Sequence, residues 1–264
     1  MRTLRYNGMY AIMTFTMNSI DANRLIPSVA AKMSPMFDEI IRQHSDNVHS
    51  AYIVGSAVLP DYNEKLSDIN SLIVLRAMDL KFITFLAPLG KKYGKKRIAA
   101  PLVMTPDYIH KSINAFPVEF LDFKLIHSTV CGMDILKDLQ INKEPLRLQC
   151  EREIKVRLIG LRQGYLSAVG KKEHVAPILI RSITGSMSLF RAIIFLLGTE
   201  PPMLRTDAIA ALGKTTRLEF DVFDKLLMLK AKVIKPSEQE LKDLFERYYH
   251  ALESIEVIID DLHV

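Results

Sequence analysis

The sequence predicts an α+β protein, in which a small mixed β-sheet covered by helices is followed by an α-helical bundle. Short β-type runs alternate with helical patterns up to residue 143, and nearly everything beyond it has the periodicity of amphipathic helices. The 264 residues are 49% hydrophobic and 25% charged, which suits a globular protein with a large core. We therefore expect two domains, residues 1–143 and residues 144–264.

Four strands and two helices are expected in the first domain. Apolar runs flanked by turn-forming residues indicate strands at residues 51–54, 69–75, 98–104 and 118–123. A helix over residues 35–46 has Ser34 at its N-cap position, and a helix over residues 106–113 has Thr105 there. These elements predict a mixed sheet with helices packed against it.

The second domain is predicted to be helical throughout. Pro145 suits the first turn of a helix, and the apolar residues that follow recur at helical spacing. The breaks at residues 198–202 and 235–237 contain proline. The expected helices cover residues 145–166, 175–197, 206–212, 222–234 and 237–262.

Charge, cysteines and hydropathy predict a cytoplasmic protein that does not enter a membrane. The net charge of +5 suits an anionic ligand. Cys131 and Cys150 have the spacing of neither a disulfide framework nor a metal site. No apolar run approaches the roughly 18 residues needed to cross a bilayer. Residues 9–17 are apolar, but the run is short and lacks the cleavage pattern of a signal peptide.

The segment that indicates chemistry is Ile53-Val54-Gly55-Ser56, followed after a polar loop by Asp68-Ile69-Asn70. A strand that ends in Gly-Ser can turn tightly and point amides and a hydroxyl at phosphate oxygens, because glycine has no Cβ. On the next strand, residues two apart share a face, so Asp68 and Asn70 point to one side while Ile69 enters the core. Two such oxygen donors can hold a divalent metal against the phosphates.

This segment resembles the nucleotidyltransferase superfamily of the DNA polymerase β type. Its pattern is a hydrophobic residue, Gly, Gly or Ser, then Asp-hydrophobic-Asp/Glu, with a third carboxylate on a later strand; Gly55, Ser56 and Asp68 match it. A catalytic domain followed by helices is similar to the layout of bacterial aminoglycoside adenylyltransferases. The resemblance implies transfer of NMP from an NTP to a hydroxyl of an unidentified acceptor, with ATP as the expected NTP. Gly55 and Ser56 would bind the nucleotide, and Asp68 and Asn70 would bind Mg²⁺.

The third carboxylate implied by the resemblance would come from Glu119 or Asp122, in the strand predicted at residues 118–123. We favour Glu119 because it is isolated in an apolar run, where a carboxylate is costly to bury unless it meets a metal or a donor. Glu119 would complete the metal site or act as general base toward the acceptor hydroxyl. Asp122, nearer the end of the run, is the alternative.

The departure from the family pattern is Asn70, which stands where the second acidic residue is expected. An amide oxygen can coordinate a hard cation, but it adds no charge and bridges two ions poorly, whereas two-metal transfer uses both ions. Three outcomes follow: a slow or one-metal enzyme, a site repaired by Asp61 or Glu64, or a protein that binds nucleotide without turnover.

Two protein classes other than an enzyme therefore stay open. If the chain is not an enzyme, it would be an inactive nucleotide-binding or interaction protein, or a partner of the toxin–antitoxin type. The basic run at residues 90–97 could contact nucleic acid, but a solvated loop is favoured. A homodimer is also left open.

Overall fold

The computed structural model describes residues 20–168, 172–216 and 221–264, and the apolar run at residues 9–17 lies outside them. Within this part, four strands form one mixed sheet in the order β3-β2-β1-β4. Strand β1 is antiparallel to β2 and β4, and β2 is parallel to β3. The small mixed sheet predicted from the sequence is thereby confirmed. The strands are β1 (Val48–Val54), β2 (Asn70–Leu75), β3 (Leu102–Met104) and β4 (His127–Gly132).

Ten α-helices are present in the described residues, and six of them follow residue 142, as expected for an α+β protein that ends in helices. Two short 3-10 helices, Ala22–Arg24 and Gly55–Val58, accompany them. The α-helices are α1 (Pro27–His44), α2 (Leu80–Gly94), α3 (Pro106–Ser112), α4 (Pro117–Leu125), α5 (Lys143–Ala168), α6 (Lys172–Ile183), α7 (Ser186–Leu196), α8 (Arg205–Thr216), α9 (Asp221–Lys230) and α10 (Glu238–Asp260).

The two faces of the sheet are covered by different elements. Ile53 packs with α1 and α2 through residues such as Phe37 and Phe82. The neighbouring Tyr52 belongs to the core on the opposite face, where Phe120 of α4 is buried. This division follows from the alternation of side chains along a strand, which sends successive residues to opposite faces.

The strand predicted at residues 118–123 is wrong: this run forms helix α4, and the fourth strand is β4, directly after it. Pro117 occupies the first turn, where its fixed φ angle favours a helix. Val118 and Leu121, three residues apart, join the core of the C-terminal helices, while Phe120 faces the sheet. A short helix buried on two sides carries apolar residues on both of them, so its sequence cannot be distinguished from a strand by periodicity.

Two predicted helices differ from those observed. The first helix begins at Pro27 rather than at residue 35, and the Ser34 hydroxyl donates to the Ala30 carbonyl instead of capping a helix. The helix expected at residues 175–197 is divided into α6 and α7 by Gly185, whose φ of +79° is left-handed. By contrast, Thr105 caps α3 as predicted, because its hydroxyl accepts a hydrogen bond from the Tyr108 amide at 3.2 Å.

None of the helices in the described residues is both long and apolar enough to cross a bilayer by itself. The segments His174–Ile183 and Ser186–Leu196 meet the criteria only when joined, and they are bent by 45° where they meet.

Candidate functional site

A cleft of about 370 Å³ lies between the sheet and the C-terminal helices, and we call it the central cleft. The ends of β1 and β2 and the C-terminal part of α4 form one wall. Residues of α6 to α9 form the other. The polar or charged lining residues are Ser56, Ser67, Asp68, Asn70, Asp122, Thr184, Ser188, Arg191, Arg205 and Lys230.

Gly55 makes the turn that ends β1 at this cleft. Its φ is +71°, a left-handed value that residues with a Cβ rarely adopt. A Cβ built there would have no atom within 4 Å, so glycine is required for backbone conformation and not for space. The Gly55 amide donates to the Ile126 carbonyl at 3.1 Å, which joins the turn to the start of β4. Gly55 and Ser56 are thereby held at the cleft wall.

Asp68 and Asn70 reach the same cleft from the start of β2. Asn70 is paired with Val54 across the two strands, so this end of β2 lies directly beside the Gly55 turn. Ile69, between the two polar residues, is fully buried, as the alternation predicted. The Asp68 side chain is 60% exposed, and its nearest cation is Arg97, with Oδ1 and Nε 3.4 Å apart. Such an exposed and long contact leaves the carboxylate available.

The two candidates for the third carboxylate are placed differently. Glu119 lies on helix α4 and is exposed; it accepts a hydrogen bond from Gln149 Nε2 at 2.8 Å and does not line the central cleft. Asp122, the alternative, does line it. The structure therefore brings Gly55, Ser56, Asp68 and Asn70 together but leaves Glu119 outside. The reason is that the run expected to be a strand is a helix.

Asp122 is paired with a cation that the sequence analysis did not single out. It accepts a hydrogen bond from Arg191 Nη1 at 2.8 Å. Arg191 is 4% exposed and also donates to the carbonyls of Pro202 at 3.1 Å and Met203 at 2.7 Å. Burial raises the pKa of Asp122 above its ordinary value, although the Arg191 guanidinium acts to lower it. A carboxylate held in this way is a poor ligand for a metal ion.

The oxygen donors of the cleft do not fit a two-metal centre. In the described part of the chain, no group of three or more His, Cys, Asp or Glu residues is arranged to hold a metal. Strand β3, which is parallel to β2, has only apolar residues. Neither loop carboxylate proposed to repair the site lines the cleft: Asp61 is 3.5 Å from Arg205, a residue that does line it, and Glu64 is 2.7 Å from Lys32. The oxygen donors that remain are the Asp68 carboxylate, which has only a long contact to Arg97, and the Asn70 amide.

Positive charge is concentrated on the opposite wall. Arg191, Arg205 and Lys230 line the cleft, against the carboxylates of Asp68 and Asp122. Burial lowers the pKa of Lys230, and the nearby Arg205 guanidinium lowers it further. Lys230 has no ion pair among residues 20–168, 172–216 and 221–264. A cation that is partly desolvated beside another cation favours binding of an anion.

Sequence reasoning missed these three cations because they come from three different helices, α7, α8 and α9, which meet only through their packing. The available signal was Arg191 itself, a lone charge in the apolar segment Ser186–Leu196. A charge in such a segment is buried only when it has partners. Arg205 and Lys230 have no comparable local signal, since both stand in ordinary mixed sequence.

A small mixed sheet followed by helices is a fold that this chain shares with a solved nucleotidyltransferase. One solved structure with this fold is spectinomycin adenyltransferase AAD(9) from Enterococcus faecialis, determined with ATP and spectinomycin. The TM-score is 0.51 at 11% identity, over 84% of this chain and 98% of that chain. No protein-family model matches the chain, and no curated protein matches it in sequence. The resemblance that residues 53–75 indicated is thus confirmed at the level of the fold.

Proposed function

We propose that this protein binds a nucleoside triphosphate in the central cleft, and that ATP is the nucleotide. The proposal rests on what the two facing walls of the central cleft carry. A Gly-Ser turn of the type that suits phosphate lies on one wall, and Arg205 and Lys230 lie on the other. ATP is chosen because the solved structure with the same fold holds ATP.

Charge supports this assignment. A bound triphosphate would bring several negative charges to the place where Lys230 is partly desolvated and Arg205 stands close by. Each charge-assisted hydrogen bond formed there would contribute about 1.5–3 kcal/mol. Arg191, already bonded to Asp122 and two carbonyls, would act mainly by holding the wall in place.

Transfer of a nucleoside monophosphate to an acceptor hydroxyl is the second candidate, favoured by the availability of Asp68. Its carboxylate is 60% exposed and has only a long contact to Arg97. A Mg²⁺ ion that accompanies the nucleotide would find Asp68 and Asn70 as its protein ligands. Because this donor set does not fit two ions, we propose that transfer is slow or absent and that nucleotide binding is the principal activity.

Calorimetric titration with ATP, with and without Mg²⁺, tests the proposal. We expect binding that weakens about tenfold or more in Lys230→Ala and in Arg205→Ala, since each removes a charged donor. Lys214→Ala is the matched control, because Lys214 is an exposed lysine of α8 that does not line the cleft. Unchanged affinity in the two cleft variants, or no binding by the unmodified protein at millimolar ATP, would overturn the proposal.

The response to Mg²⁺ separates the two candidates. Strong coupling between Mg²⁺ and ATP, together with release of pyrophosphate in the presence of an acceptor, would favour transfer. Binding that is nearly independent of Mg²⁺, with no pyrophosphate released, would favour nucleotide binding alone.

A further inference from the structure

A second concave surface lies between helices α5 and α6, and we call it the α5–α6 groove. It consists of two adjoining cavities of about 330 Å³ and 540 Å³. Both are lined by Gly160, Gly164, Ile178 and Arg181. Their sizes fall in the range usual for sites that bind small molecules. The smaller cavity ends at Thr184, which also lines the central cleft, so the two sites adjoin.

Two glycines one helical turn apart create the groove. A Cβ on Gly164 would lie 2.9 Å from the Ile178 side chain, so α6 packs closely against α5 at this point. At Gly160 a Cβ would meet nothing within 4 Å, and the space there is open. Val156 stands at the rim with 61% of its surface exposed. The walls are therefore apolar and uncovered.

The charges of the groove are of one sign. Among the residues that the structure describes, its lining includes Arg157, Arg181 and His174 but no aspartate or glutamate. Arg181 forms no ion pair with any residue of the described part of the chain. Arg157 is bonded through Nη1 to Glu153 at 3.0 Å. An apolar surface that carries an unpaired guanidinium is complementary to a molecule with an apolar body and a negative head group.

We propose that the α5–α6 groove binds a small amphipathic anion, with its apolar part against Val156 and Ile178 and its negative group at Arg181. The groove thus adds a second ligand site to the nucleotide site in the central cleft. Because the groove meets the central cleft at Thr184, the two ligands would lie side by side.

The first test compares three ten-carbon probes by calorimetry on the full chain, each below its micelle concentration: decanoate, decanol and decylammonium. Decanoate is expected to bind about tenfold or more tightly than decylammonium, because only the anion can pair with Arg181. Arg181→Gln should remove most of this preference and leave decanol binding nearly unchanged. Equal affinity for the three probes, or no decanoate binding in the millimolar range, would overturn the proposal.

The second test blocks the groove without unfolding the protein. Gly160→Leu places a side chain in the open space, and leucine is a better helix former than glycine by up to about 1 kcal/mol. We expect it to abolish decanoate binding at an unchanged or raised melting temperature. Gly90→Leu in α2 is the matched control, since a Cβ there also meets nothing within 4 Å and Gly90 lies outside the groove.

ATP titrations on the same variants keep the two proposals apart. Gly160→Leu should retain ATP binding, because Gly160 does not line the central cleft. Loss of decanoate binding with ATP binding retained supports the groove. Decanoate binding that survives in Gly160→Leu contradicts the groove but leaves the nucleotide proposal standing. Loss of ATP binding in Lys230→Ala would not affect the groove.

Discussion

Replacement of Arg191 by methionine is expected to destabilise the protein strongly. The substitution removes three hydrogen bonds: one to Asp122 at 2.8 Å, and one each to the carbonyls of Pro202 and Met203. It also leaves Asp122, whose side chain is 20% exposed, without its partner. Breaking a buried pair by removing one member costs about 3–5 kcal/mol. We expect a loss of that size in the free energy of unfolding near neutral pH.

The loss should depend on pH because of Asp122. Its pKa in the folded protein is raised by burial even with Arg191 present, and removal of the guanidinium raises it further. A carboxyl group whose pKa is higher in the folded than in the unfolded protein destabilises the fold. This destabilisation grows as pH rises from the pKa of the unfolded protein to the pKa of the folded protein. The loss of unfolding free energy should therefore be smaller near pH 4 than near pH 7, because the Asp122 carboxyl is largely protonated in the variant at pH 4. The difference should be about 1.4 kcal/mol for each unit by which the substitution raises the pKa of Asp122.

Urea denaturation followed by far-ultraviolet circular dichroism measures the effect. Lys111→Met is the control, because it breaks an exposed pair of the same length, 2.8 Å, on the surface of α3. A change within about 0.5 kcal/mol is expected there. The double substitution Arg191→Met with Asp122→Asn should recover part of the loss. A loss below about 1 kcal/mol for Arg191→Met, or one that is the same at pH 4 and pH 7, would contradict a stabilising role for the Arg191–Asp122 pair.

Three further predictions concern the wall formed by the sheet. Asn70→Asp should strengthen the effect of Mg²⁺ on ATP binding, because it adds a second carboxylate beside Asp68; calorimetry that shows no gain in metal coupling would count against Mg²⁺ at this position. Asp68→Ala should remove metal-linked ATP binding while the melting temperature stays nearly constant, since the side chain is 60% exposed; retained coupling would place the metal elsewhere. Gly55→Ala should cost about 1–2 kcal/mol of stability, because alanine must adopt φ of +71°, and it should weaken ATP binding; a stability equal to that of the unmodified protein would show that the turn relaxes freely.

The fold could be predicted where local sequence decides the structure. The Gly55-Ser56 turn and the alternation of Asp68, Ile69 and Asn70 depend on backbone preferences over a few residues, and both were found in the expected places. The capping of α3 by Thr105 is equally local. In these cases neighbouring residues along the chain are also neighbours in space.

The segment after Phe116 could not be assigned correctly from local sequence. Its apolar run suits a strand as well as a short helix buried on two sides, and only packing against the sheet and the C-terminal helices distinguishes them. Because the run forms α4, Glu119 lies at the surface and Asp122 lies at the central cleft. The choice between the two carboxylates thus depended on a tertiary contact.

One wall of the cleft follows from local sequence, because a tight turn and a two-residue alternation are properties of a continuous stretch of backbone. The other wall depends on helix packing, which brings Arg191, Arg205 and Lys230 from three helices to face the turn. Their charges interact through space, over distances set by helix packing, and no spacing along the chain encodes that.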